Sequence, residues 1–218
     1  MRKYWFFKET TVYIPTVGTI IGGLVCAAVL LVIIVRSVHP FLSCDSPVTA
    51  STLIMEGWLP DYSLEEVAHI ASRQRYKTVI TTGGPLEKGS FLQEYKTYAE
   101  ISAATLRKLL PDSIEVIAVP AGFVKKDRTW TAALFLRHWI DSTHCSIRNF
   151  NLCSQTTHTR RSRLFFKRAL KECNVGSIAL EDREYDAKRW WTASSGVRSV
   201  VDELVAYFYA LLFIHLKT

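Results

Sequence analysis

Residues 16–35, TVGTIIGGLVCAAVLLVIIV, carry no charged side chain, and Arg36 follows at once. About 20 apolar residues is the length at which a helix crosses the hydrocarbon core of a bilayer. A helix can do so because its backbone N–H and C=O groups are paired within the segment. The run exceeds the roughly 7–15-residue apolar core of a cleavable signal peptide. No A-x-A-like site follows it, and the FLSC segment at Phe41–Cys44 has Phe41, not the leucine of a lipoprotein cleavage box, three before the cysteine. The expectation is an uncleaved transmembrane anchor over residues 16–36. Arg2, Lys3 and Lys8 precede the run against Glu9 alone, and after Arg36 the next basic residue is Arg73. The positive-inside bias then places residues 1–15 in the cytoplasm and the remainder outside it, in a bacterium the periplasm or outer face of a plasma (inner) membrane.

Beyond a short linker at 37–47, residues 48–218 have the size of one domain with a sizeable core. The chain holds 27 basic and 20 acidic residues, net +7. Four of the basic residues and one of the acids flank the anchor, which leaves the domain near +4. That is too mild for a nucleic-acid surface, so no nucleic-acid partner is expected. Of five cysteines, Cys26 lies in the anchor. Cys44, Cys145, Cys153 and Cys173 either pair in an oxidising compartment or stay free. Their spacing matches no zinc site, and no metal is expected.

From residue 48 onward, short apolar runs alternate with amphipathic stretches. Val48–Met55, Thr78–Thr82, Ile114–Val119, Phe150–Cys153 and Ser177–Leu180 read as buried strands. Helical patterns lie between them. One opens on Ser63 with Glu66 at capping-box spacing, and others run over Phe91–Leu110, Thr129–Asp141 and Arg160–Cys173. The alternation predicts an α/β, Rossmann-like, three-layer fold with a mostly parallel sheet and helices on both faces. Val205–Leu216 is apolar on nearly every side and too short to span, so it is read either as a buried helix or as one at the membrane interface.

The chemistry-bearing residues follow the strands. Glu56, Gly57 and Trp58 follow the first; Thr82, Gly83 and Gly84 the second; Arg128 and Thr129 the third; Thr156, His158, Arg160, Arg161 and Ser162 the fourth. In a parallel sheet these segments emerge at one carboxyl edge, where open α/β folds bind ligands. Gly83 and Gly84 serve either a tight turn or backbone N–H contacts to an anion. They fit neither a Walker loop nor a dinucleotide fingerprint. Arg160 and Arg161 either form a solvated helix face or, standing in the first turn of a helix where cations oppose the macrodipole, meet an anionic partner. His158 is suited to proton transfer near neutrality, with Glu56 as its carboxylate. The dull alternative is that Glu56 and an arginine only fix the loops. Glu203, an acid in apolar company, is a weaker candidate.

Glu56-Gly57-Trp58, Thr82-Gly83-Gly84, Tyr98-Ala99, Arg128-Thr129 with Ala133, His158-x-Arg160-Arg161-Ser162, Arg189-Trp190-Trp191 and the late Glu203 occur in that order over residues 48–212. This order resembles the YdcF/SanA/ElyC-like family of bacterial envelope proteins. The resemblance implies a Rossmann-like domain, often anchored, linked to envelope integrity and to peptidoglycan or lipid-carrier metabolism. It also implies a possible S-adenosylmethionine ligand. The leading expectation is a crevice that binds a phosphorylated, lipid-linked ligand. In it Arg128, Arg160 and Arg161 clamp the anion, Gly83 and Gly84 donate N–H groups, and His158 and Glu56 handle protons. If the protein is an enzyme, it is a hydrolase or transferase acting at phosphate. Two alternatives stand beside this. One is an S-adenosylmethionine or nucleotide site that uses Glu56, Glu181 or Asp182 on ribose. The other is a non-catalytic envelope scaffold.

Overall fold

The computed structural model describes residues 12–89, 91–92 and 94–213. The charges that set the expected orientation, Arg2, Lys3, Lys8 and Glu9, lie outside the described residues, as do residues 214–216 of the apolar C-terminal stretch. The chain divides into two compact units, Met1–Ser37 and Val38–Thr218. In the first, helix α1 begins at Val17, and its most apolar 18-residue window has mean hydropathy 2.8 and is wholly unburied. One N-terminal helix is thus long and apolar enough to cross a membrane.

The α1 helix runs on through Pro40 to Leu42. Much of the stretch read as linker therefore belongs to the second unit. His39 and Leu42 are buried there, and Ser46 bridges to Ser177.

The second unit is a three-layer α/β fold. Its strands are β1 (Thr52–Glu56), β2 (Thr78–Gly83), β3 (Glu115–Pro120), β4 (Asn149–Gln155) and β5 (Asn174–Leu180). They form one sheet in the order β3-β2-β1-β4-β5, and every pairing is parallel. Helices α2 (Asp61–Arg73), α3 (Tyr98–Leu109), α4 (Arg128–Thr143) and α5 (Thr159–Ala169) link consecutive strands, and α6 (Ser194–Phe213) follows β5. Period-two alternation along β1 explains the layers. Leu53 and Met55 pack with Leu64 and Val67 of α2 and Leu106 of α3, whereas Ile54 packs on the other face with Ala133 and Leu136 of α4 and Phe165 and Phe166 of α5. Both faces are covered, so the strands read as apolar runs.

Several boundaries differ from expectation. The α2 helix starts at Asp61 with Pro60 as N-cap and no side-chain cap, so Ser63 lies inside the helix, buried and with its hydroxyl unpartnered. The capping box belongs to α3 instead, where Thr97 Oγ1 accepts from Glu100 N and the Glu100 side chain accepts from Thr97 N. That pair fixes the start of α3 at Tyr98, which leaves Phe91 and Leu92 in the preceding loop, fully exposed or nearly so. The fifth segment of helical pattern is longer than read: α6 begins at Ser194 rather than Val205. All five cysteines are free thiols.

Candidate functional site

The strand order reverses between β1 and β4, and at that point the carboxyl ends of two adjacent strands diverge to opposite faces of the sheet. Open α/β sheets bind ligands at such a switch point. Here β1 ends on Glu56, while β4 runs through Ser154 and Gln155 into a single tight turn, Thr156–His158, that feeds α5. A cleft of about 180 Å³ opens beside them, lined by Trp58, Gln155, Thr157, His158, Ser199, Asp202 and Glu203.

Glu56 is the buried anchor of the site, only 2% exposed. Its Oε2 accepts hydrogen bonds from Ser154 Oγ and from Ser162 Oγ, the latter at 2.9 Å. Its Oε1 lies 3.5 Å from His158 Nε2. Burial pushes the Glu56 carboxyl up, but the His158 charge and the hydrogen bonds from His158, Ser154 and Ser162 outweigh it and leave the group below its ordinary value. A buried carboxylate persists when it is paired and hydrogen-bonded in this way.

His158 sits between two carboxylates. Its Nδ1 is 2.7 Å from Glu203 Oε1, and Thr129 Oγ1 of α4 lies 3.4 Å from its Nε2. The Trp58 ring meets the imidazole edge-on at 5.1 Å between centroids. Burial alone disfavours the imidazolium, but the Glu56 charge and the hydrogen bonds to Glu203 and Glu56 override it and raise the pKa to about 9. At neutral pH His158 is therefore a cation, and its Nδ1–H donates to Glu203.

Arg161 completes the arrangement. Its Nε and Nη2 reach Glu203 Oε2 and Oε1 at 2.8 and 2.9 Å, the two-pronged fit for which guanidinium is shaped. Its Nη2 also lies 2.9 Å from His158 Nδ1. Since the Nδ1 proton is committed to Glu203, that contact is an approach of two donors sharing one carboxylate. Burial raises the Glu203 pKa, but hydrogen bonds from His158 and Arg161 bring it down to about 2. Two cations and two carboxylates balance.

The remaining residues read from the sequence divide clearly. Thr129, Trp58 and Ser162 stand within this cluster. Thr156 is buried beside it, 3.3 Å from Tyr185 Oη. Gly57, Thr82 and Gly83 serve packing. A Cβ on Gly57 would stand 2.6 Å from the Tyr98 carbonyl oxygen, and one on Gly83 would stand 2.9 Å from Tyr98 Cβ. Thr82 Oγ1 donates to the Met55 carbonyl at 3.3 Å. The Gly84 carbonyl accepts from Tyr98 N at 2.9 Å.

The three arginines do not converge. Arg128 is exposed and paired with Glu87. Arg160 stacks over the Phe41 ring at 4.2 Å and donates to the Phe41 carbonyl. Only Arg161 reaches the cleft cluster. Of the acids considered for ribose, Glu56 is sealed from solvent, and Asp182 accepts from Glu184 N at 3.0 Å and Tyr62 Oη at 3.4 Å.

Sequence reasoning ranked Glu203 too low and missed Ser154, Thr157, Ser199 and Asp202. A buried strand carrying Ser154 next to apolar Cys153 was a usable signal. Thr157 lies in the tight turn before α5, and Ser199 and Asp202 come from α6, whose docking only the fold shows. No three-residue cluster with metal-binding geometry occurs among the described residues. No protein-family model matches this chain, and no curated protein matches it.

Proposed function

We propose that this chain is a single-pass membrane protein of the cell envelope, with a short cytoplasmic N-terminus and an extracytoplasmic α/β domain. Its switch-point cleft binds a phosphorylated ligand of the lipid-linked carrier class. The observation that carries this reading is His158, an imidazolium held by Glu56 on one side and by Glu203 on the other, lining a cleft at the reversal of strand order. Arg161 supplies the second cation, and Thr157, Ser199 and Gln155 supply neutral hydrogen-bonding groups. The resemblance to the YdcF/SanA/ElyC-like family and the apolar α1 helix point to an envelope ligand with a lipid portion.

The protonation state assigns the chemistry. With a pKa of about 9, His158 enters as an acid: as water bonds to phosphorus and the bond to the leaving oxygen breaks, the imidazolium protonates that oxygen and regains its proton from the one the water loses. The expected outcome is that the full-length protein in detergent binds farnesyl phosphate or pyrophosphate by calorimetry. His158→Gln should bind the probe more weakly, through Arg161 alone, and lose any phosphate release followed by phosphorus NMR. A wild-type protein that binds neither probe removes the proposal.

A further inference from the structure

Glu203 is held differently from every other acid in the cluster. Both its oxygens are taken by three donors, Arg161 Nε, Arg161 Nη2 and His158 Nδ1, at 2.7–2.9 Å. None of these donors belongs to α6, the helix that carries Glu203. The receptor is built on the β4–α5 segment, and the carboxylate is brought to it from outside. Glu56, by contrast, is fixed by Ser154 and Ser162 and sealed from solvent. The Glu203 side chain keeps 17% of its surface exposed and forms part of the cleft wall.

We infer that the Arg161 fork with His158 Nδ1 is the anion subsite of the cleft, and that the Glu203 carboxylate fills it in the free protein and is displaced by the ligand's phosphate. This rests on the phosphorylated-ligand reading above and names where the anion goes. Charge decides between displacement and addition. Arg161 and His158 are already balanced by Glu203 and Glu56, and Asp202 adds a further acid to the same wall. An incoming anion finds no uncompensated cation in the cleft, so it must take the place of Glu203. A tetrahedral phosphate offers the same pair of oxygens to the fork and a third toward the imidazole. Glu203 then turns outward along α6 toward solvent.

A receptor occupied by its own chain binds with an affinity reduced by the fraction of molecules in which it is open. Weakening the internal occupant therefore tightens ligand binding, the opposite of what a positioning residue would show. The test uses the full-length chain in detergent and inorganic pyrophosphate as the probe. Glu203→Gln removes the charge, and Glu203→Asp keeps it but shortens its reach, which guards against loss of folding in the first variant. Both are expected to bind pyrophosphate about tenfold tighter than wild type, and Arg161→Lys is expected to lose binding. Binding by wild type that is unchanged or weaker in both Glu203 variants overturns the displacement while leaving the phosphorylated-ligand reading in place. Absence of binding in wild type and in both Glu203 variants overturns the two together.

Discussion

Arg128 and Arg161 leave the carboxyl edge of the same sheet, the first after β3 and the second after β4, and each ends on a glutamate. Their surroundings differ. Arg128 and Glu87 keep 68% and 65% of their side-chain surface exposed, whereas Arg161 and Glu203 keep 18% and 17%. On the β2/β3 side, the loops carry exposed Phe91, Leu92 and Phe123, and the Arg128–Glu87 pair stands in water. On the β1/β4 side, four charges are interlocked with hydroxyls behind a tryptophan. An exposed pair is screened and gains little, while a buried pair is costly to leave half made. Equal sequence signals, an arginine after a strand, thus produce one surface contact and one strongly coupled site.

The sharpest way to break this comparison is to remove the residue at the bottom of the buried half. Glu56→Ala leaves the His158 cation and two hydroxyls facing an emptied, solvent-excluded position. The expected loss is about 3–5 kcal/mol in denaturant unfolding of the domain. A loss below about 1 kcal/mol would place Glu56 in the same class as the exposed pair.

The next effect is read in pH. His158 has a folded pKa of about 9, above its ordinary 6.5, so its contribution is complete below pH 6.5 and is lost as pH rises through 9. Glu203, lowered from 4.5 to about 2, contributes fully above pH 4.5 and loses that contribution as pH falls toward 2. Stability should therefore be greatest between about pH 4.5 and 6.5 and fall by a few kcal/mol on the alkaline side. His158→Gln should flatten the alkaline limb in thermal melts across pH. An alkaline limb unchanged by that substitution would show that the imidazolium is not the group responsible.

Gly57 joins the two halves, because the turn after β1 runs against Tyr98 at the start of α3. A Cβ there meets a backbone carbonyl at 2.6 Å, and neither partner can move without shifting a strand end or a helix start. Gly57→Ala is expected to cost roughly 1–3 kcal/mol and to weaken ligand binding by displacing Trp58. A substitution with no effect on melting would show the two halves to be independent.

What the sequence disclosed follows from the range of the forces involved. Strand positions were legible because β1, β2 and β4 are buried on both faces and the edge strands β3 and β5 keep the same apolar runs. The convergence of Glu56 and His158 was legible because strand ends share an edge once the sheet is parallel. The α2 start was misread because Ser63-x-x-Glu66 and Thr97-x-x-Glu100 present the same local pattern, and only the chain entering from Pro60 distinguishes them. The partners of Arg128, Arg160 and Arg161 were illegible. Each is chosen by a distant segment, Glu87, Phe41 and Glu203 respectively, and a long cation gives no local sign of which one it will meet.

The smallest expected effect is the one that tests the arginine clamp most directly. Arg128→Ala removes an exposed ion pair and should change stability by less than about 0.5 kcal/mol. Pyrophosphate affinity should stay within about twofold of wild type, since the Arg128 charge is exposed, screened by water and already paired with Glu87. Calorimetric titration of the full-length variant measures this against Arg161→Lys, for which binding is expected to vanish. If Arg128→Ala weakens binding tenfold or more, the ligand reaches across β1 and β2 to the other half of the edge. The two arginines would then act on one anion after all, with the Glu87 pair opening when the ligand arrives.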